Sequence, residues 1–205
     1  MTLILIDGIS ASGKSLLLKN LQSKIIKERE NYTKIILTEH MTERYFENKN
    51  LDVATIHDHV ARILNLILEI QKIQDDSPFK GNEKVVTAVI ERLFLTLMSR
   101  NLLTSHFFTE HDQLIQSLKI KNIFLYIPPD LIEQRIQTSL GHRNEKWEEF
   151  ILKLGGVKSA CNYFNAQQEN MKICNEILSQ HINTEMFIID TLKKFQDENF
   201  LKDIL

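Results

Sequence analysis

A doubly wound α/β fold, one five-stranded parallel sheet flanked by helices, is what this sequence predicts, and three observations carry that prediction. Short apolar runs alternate with segments of helical periodicity along the whole chain. The runs are apolar at consecutive positions, the pattern of strands covered on both faces, as parallel strands are. The first run also ends in a glycine-bounded turn that opens directly into an amphipathic helix.

Taken in order, Leu3, Ile4, Leu5 and Ile6 form the first strand, and residues 15–28 carry Leu17, Leu18, Leu21, Ile25 and Ile26 at helical spacing. Residues 34–38 are the second strand. From Thr55, the series Val60, Ile63, Leu64, Ile67, Leu68 and Ile70 marks a long helix that breaks at Ser77-Pro78. Its stripe from Val60 to Ile73 reads as core. Residues 85–90 are a third strand, leading through Glu91-Arg92 into a helical run to Leu103. A fourth strand over 122–127 is stopped by Pro128-Pro129. A helix over 130–139 is followed by a polar turn at 141–144. Helical sequence then runs from Glu145 to His181 with an interruption at Gly155-Gly156. Residues 186–189 are the last strand and 192–205 a closing helix. No repeat, low-complexity tract or Gly/Ser/Pro-rich linker divides the 205 residues, so one domain over 1–205 is expected.

Composition narrows the function classes. Hydrophobic residues are 43% and charged residues 25%, ordinary globular usage rather than disorder or a fibrous repeat. With 25 Lys+Arg against 27 Asp+Glu, no global field points to nucleic acid. Cys161 and Cys174 have neither CxxC nor zinc-ligand spacing and read as buried or half-buried thiols in a reducing compartment. The start has no basic segment of a secretory signal, and no apolar stretch reaches the roughly 20 residues of a membrane helix. A soluble, cytoplasmic protein with no membrane partner is the expectation.

The chemistry is carried by Gly8-Ile9-Ser10-Ala11-Ser12-Gly13-Lys14-Ser15, which fits G-x-x-x-x-G-K-[ST] at every fixed position, after a strand and before a helix. Its glycines let the loop curl so that backbone N–H groups converge on phosphate oxygens, and the helix N-terminus adds its positive end. Gly8, Ser10, Ala11, Ser12, Gly13, Lys14, Ser15 and Leu16 are therefore the nucleotide-binding set. Lys14 bridges the β- and γ-phosphates, and the Ser15 hydroxyl serves Mg²⁺. Because the match covers both glycines and their context, a chance turn is a poor rival. GTPases require an Asn-Lys-x-Asp motif that the sequence lacks, and the strand ending in Glu91-Arg92 differs from the strand-Asp of motor and transport ATPases.

With those residues in view, the chain resembles the nucleoside and nucleotide kinases, particularly the thymidylate kinase and deoxynucleoside kinase group. The carriers are Ile6-Asp7 with the loop, Glu39 after the second strand, Glu91-Arg92 after the third, Arg135 and Arg143 where that group places lid arginines, and Ile188-Ile189-Asp190-Thr191. The resemblance implies a P-loop kinase fold with a short lid at about 136–146, Mg-ATP as donor, a nucleoside or nucleoside monophosphate as acceptor, and a homodimer seam along part of the Val60–Ile73 stripe. The sequence departs from the group at His40, where Pro is usual after the Glu, and at Leu93, where Tyr, His or Ser is common. Those departures bear on the acceptor.

Glu39 and the Glu91-Arg92 pair fall at carboxyl ends of strands, where open α/β sheets bind ligands. A carboxylate at Glu39 takes the proton of an acceptor hydroxyl; its rival reading is a solvated glutamate in a charged stretch with Glu43, Arg44 and Glu47. Glu91 holds Mg²⁺ and Arg92 grips the acceptor, unless the two form an ion pair capping the strand. Arg135 and Arg143 close over the transferred phosphoryl; the rival is an ordinary solvated arginine. His57-Asp58-His59 invites a metal reading, but residues two apart on a helix face apart, and Asp52 or Thr55 capping the helix is simpler. Tyr45, Phe46, Trp147 and Tyr163 are aromatic and can stack on a base, though most such rings are core. Kinases of non-nucleoside hydroxyl compounds and nucleotide-dependent switch proteins are the two rival functions.

Overall fold

A computed structural model of the chain describes residues 2–28, 33–49, 51–76 and 86–204. Strands β1 (Thr2–Asp7), β2 (Thr33–Leu37), β3 (Val86–Glu91), β4 (Ile120–Tyr126) and β5 (Asn183–Ile188) form one sheet in the order β2-β3-β1-β4-β5. Every neighbouring pair is parallel, with Ile6 beside Glu91 and Asp7 beside Phe124. The helices are α1 (Lys14–Glu28), α2 (Glu43–Lys49), α3 (Val53–Asp76), α4 (Phe94–Ser99), α5 (Ser105–Glu110), α6 (Asp112–Ser117), α7 (Pro129–Leu140), α8 (Glu145–Lys153), α9 (Val157–Leu178) and α10 (Glu198–Ile204). Short 3-10 turns cover Glu39–Met41 and Leu192–Gln196.

The consecutive apolar run of β1 is explained by two cores. Leu3 and Leu5 pack with Ala88, Ile90, Phe124 and the inner faces of α3 to α9, while Ile4 and Ile6 pack with Leu17, Leu21, Val89, Ile123 and Phe195 on the other face. All four are fully buried, so the central strand has no solvent face. At the sheet edge, β5 leaves Met186 and Ile188 exposed.

The order also locates a site. From β1 the chain crosses outward past β3 to reach β2, and from β3 it crosses the other way past β1 to β4. The carboxyl ends of β1 and β3 therefore flank the switch point of the sheet, where such sheets bind ligands.

Six expectations need correction. The stripe from Val60 to Ile73 is core through Ile67 but ends in an exposed Ile73, because the end of α3 runs past the sheet. The last strand, expected over 186–189, runs Asn183–Ile188, since pairing with β4 and not the apolar run sets its start. The helical run expected from Glu91-Arg92 to Leu103 is only α4, because Arg92 takes a left-handed backbone (φ 56°) and Leu93 a non-helical one, so the helix starts at Phe94. Asp7 then caps it: its buried carboxylate accepts from the N–H groups of Leu95 (3.3 Å) and Thr96 (3.1 Å) and from the Thr96 hydroxyl (2.7 Å). Residues 105–117, unassigned by periodicity, carry α5 and α6, each too short to show a repeat. The stretch after Glu39, read as charged loop, contains α2. The closing helix divides at Asp197, which is extended and whose carboxylate accepts from Asn199 N–H at 2.9 Å, restarting the helix as α10.

The expected start of the third strand at Val85 and the break at Ser77-Pro78 lie outside the described residues. Among the described residues no helix is long and apolar enough to cross a membrane. Asp52 caps α3 through Thr55 N–H at 2.7 Å, as its position suggests. Cys161 is half-buried and Cys174 buried, both as free thiols.

Candidate active site

The loop after β1 has the shape its sequence demands. Gly8 (φ 152°) has no room for a side chain, since a Cβ there lies 2.8 Å from the Leu125 carbonyl oxygen. At Gly13 (φ 91°) a Cβ lies 2.4 Å from the Phe195 ring. Ala11 is also left-handed (φ 66°), so three residues of the loop take positive φ, the backbone conformation from which N–H groups can turn inward. Ser12 is buried, Ser10, Ala11 and Leu16 are half-buried, and Ser15 is exposed on the first turn of α1.

Lys14 folds back over this loop. Its ammonium donates to the carbonyls of Gly8 and Ile9, both at 2.7 Å, and to Ser12 Oγ at 3.4 Å. Burial and the nearby Arg92 charge bring its pKa down to about 7, against the partial support of Glu91, Glu43 and Glu39. A buried ammonium whose direct partners are carbonyl and hydroxyl oxygens is one that a bound anion would stabilise.

Beside the loop stands a cluster of opposite charges drawn from distant segments. Glu39 opens the 3-10 turn after β2, Glu43 and Arg44 lie in the first turn of α2, and Arg92 follows β3. Arg92 is nearly buried: Nη1 donates to Glu43 Oε2 at 2.6 Å and Nη2 to Ser10 Oγ at 3.2 Å. Its Nε is an ion-pair partner of Glu39 Oε2 at 3.0 Å without the alignment of a hydrogen bond. Its backbone N–H donates to Ile6 O at 3.0 Å, which holds the left-handed corner against β1. Glu39 Oε1 pairs with Arg44, and Glu43 Oε1 with Arg100. Thr42 Oγ1 donates to the Glu91 carbonyl at 2.7 Å and pins the Glu39 turn to the end of β3. Burial pushes the Glu39 carboxyl up, but Arg92 and Arg44 outweigh it and hold the group below its ordinary value.

The sequence-derived residues thus meet in part. Gly8 to Ser15, Glu39, Glu91 and Arg92 come together at the ends of β1 and β3. Arg143, in the turn after α7, sits 4.4 Å over the Trp147 ring, and its charge interacts with Arg92, Glu39, Arg44 and Glu91. Partial desolvation and the Arg92 charge hold its pKa below the ordinary value. Arg135 lies apart from this cluster, donating to the carbonyls of Ile189 (3.3 Å) and Asp190 (3.2 Å) after β5. The segment 136–146 is the end of α7, the turn and the start of α8.

Glu43 and Arg100 were not singled out by sequence. Glu43 belongs to the charged stretch after Glu39, and nothing local in the sequence signals its pairing with Arg92 and Arg100. His57 sits edge-on to Phe107 and His59 stacks on Tyr45 at 4.5 Å, so the two imidazoles do point to different neighbours. Trp147 is core: it stacks with Phe164 and donates Nε1–H to Ser139 Oγ at 2.9 Å.

No protein-family model and no curated protein matches this sequence. Solved structures do. The shikimate kinase of Bacteroides thetaiotaomicron superposes with a TM-score of 0.52 at 15% identity, over 99% of this chain and 93% of that one. Polyphosphate kinase 2 of Arthrobacter aurescens TC1 gives 0.51 at 12% identity, over 99% of this chain and 65% of that one. At such identities the likeness is one of fold. The chain has the fold seen in these kinases.

Proposed function

We propose that this chain is an ATP-dependent phosphotransferase that moves the γ-phosphate of Mg-ATP to a hydroxyl of a small molecule. The observation that carries the reading is Arg92, which joins the phosphate loop to Glu39: one guanidinium touches both Ser10 and the carboxylate.

In this reading the loop N–H groups and Lys14 hold the β- and γ-phosphates. Ser15 and Glu91 would hold Mg²⁺, a hard cation that usually takes one or two protein oxygens and leaves the remainder to phosphates and water. One hydroxyl at the loop and one carboxylate at the neighbouring strand end fit that demand. When bound, the ion neutralises charge on the phosphates. Glu39, ionised at neutral pH, accepts the acceptor's proton as its oxygen attacks the γ-phosphorus and the bond to ADP breaks. Arg92 orients Glu39, and Arg143, reached through the turn after α7, adds positive charge as the segment at 136–146 closes. Arg135, placed by the β5 exit, serves the donor side.

A nucleoside or nucleoside monophosphate is the acceptor class the sequence resemblance implies. A carboxylate base suits a neutral hydroxyl better than a phosphate, which is already ionised. The likeness to a shikimate kinase supports a second reading with a non-nucleoside hydroxyl acceptor. The test is ADP release from Mg-ATP with nucleosides, nucleoside monophosphates and unrelated alcohols, with Lys14→Ala as blank and Glu39→Gln as the base variant. One stimulating compound, inactive with both variants, is expected. ATP binding with no stimulation by any compound would sink the reading.

A further inference from the structure

Glu39 is held by two arginines of very different character. Arg92 has 9% of its side chain exposed and three further anchors, at Glu43, Ser10 and the Ile6 carbonyl. Arg44 has 53% of its side chain exposed on the short helix α2 and pairs with Glu39 Oε1. Moving Arg92 breaks a buried network, whereas an exposed ion pair is weak and its long side chain regains rotamer freedom when released.

We infer that Arg44 is an exchangeable occupant of the acceptor position: its guanidinium covers Glu39 Oε1, and an acceptor hydroxyl displaces it on binding. The inference rests on the reading of Glu39 as the base. The Arg44 guanidinium covers Oε1 and the Arg92 Nε faces Oε2, so an incoming O–H competes with one of these two cations for its place against the carboxylate. Arg44 is the partner that solvent can receive. In the exchange one N–H···O contact is given up and one O–H···O contact is formed at the same oxygen. Arg44 therefore sets how readily Glu39 meets any hydroxyl, water included.

Water provides a test that needs no identified acceptor. Its oxygen attacks the γ-phosphorus, the bond to ADP breaks, and its proton passes to Glu39. ADP release without added acceptor is measured for the full chain, Arg44→Met and Arg44→Gln, across pH. Loss of an exposed pair predicts a rise of about two- to fivefold in both variants. The charges facing Glu39 are Arg44 from α2, Arg92 from the β3–α4 corner, Lys14 from α1 and Arg143 from the turn after α7. Removing Arg44 leaves the other three, so the acidic limb of the rate profile moves to higher pH. Unchanged or slower release with an unmoved limb overturns the inference, as does a raised KM for a compound that stimulates the wild type, which would make Arg44 a binding cation. If no protein releases ADP with water or any acceptor, the reading of the site as a phosphotransferase fails, and this inference with it.

Discussion

In the proposed reading the nucleotide side is one continuous stretch, residues 8–15, whereas the acceptor side gathers Glu39 with Glu43, Arg92 and Arg143 from three separate parts of the chain. The first is built from backbone, with left-handed residues and glycines that have no space for a Cβ. The second works through side chains that position one another by charge. A backbone site needs particular residues at fixed spacing, so it is written as a motif. A side-chain site needs only that the fold bring suitable groups within a few ångströms, and many sequences meet that demand.

Lys14 should show the largest effect, because it is the one charged side chain among residues 8–15. Lys14→Ala is expected to cost about a thousandfold in kcat/KM, roughly 4 kcal/mol of barrier, while leaving the thermal midpoint little changed. Its pKa of about 7 adds a second reading. Phosphate binding requires the charged form, so affinity should fall as pH rises above about 7. Binding near neutral pH should take up a fraction of a proton, visible as a buffer-dependent heat in calorimetry. A heat independent of buffer ionisation would show Lys14 already charged before nucleotide arrives.

On the acceptor side the corresponding cut is Glu43→Ala. It strips one carboxylate from both Arg92 and Arg100, each held there in the native state. A loss of about 3 kcal/mol in stability is expected, since Arg92 remains nearly buried with Glu39 alone. Urea unfolding measures it. Mg-ATP affinity should change little if the two halves are separately built, and a large loss would mean that Arg92 supports the loop through Ser10.

How much was legible follows the same division. The strands and their alternation with helices follow from apolar runs, of which Leu3 to Ile6, packed on two cores, is the clearest case; β5 is partly exposed at the sheet edge and starts at Asn183, ahead of its run at 186–189. The loop was read residue by residue. Glu39 and Arg92 were found by position at strand ends, but not their pairing, because contact between residues 53 apart depends on how the chain crosses the sheet. Helices α5 and α6 span six residues each, too few for a helical repeat to declare itself. Arg100 left no trace in sequence, since nothing local distinguishes it from a solvated arginine.

Gly13→Ala probes the backbone side alone. Its φ of 91° and the Phe195 carbon 2.4 Å from an added Cβ leave the loop no relaxed geometry. A loss of about 2 kcal/mol is expected, read as a lower midpoint in thermal unfolding, along with weakened nucleotide binding. Gly141, whose added Cβ meets nothing within 4 Å, is the control and should tolerate alanine.

The smallest effect is a pH dependence confined to the acceptor side's supports. Burial holds His57 and His59 of α3 below the ordinary imidazole value, the first opposed by Glu110 and the second reinforced by Arg62. The folded state therefore binds fewer protons than the unfolded one near pH 6. Stability is fully present above the unfolded value of about 6.5 and declines as pH falls below it toward the lowered folded values. His59 stacks on Tyr45, the neighbour of Arg44 on α2, whereas α1 and the loop have no such imidazole partner among the described contacts. Hydrogen exchange at pH 7.5 and 5.5, corrected for intrinsic rates, should show protection falling in α2 and α3 more than in α1. Replacing both histidines with glutamine should flatten that difference. Equal loss in α1 would mean that the two sides share one cooperative unit, and the contrast between them would then be one of construction and not of stability.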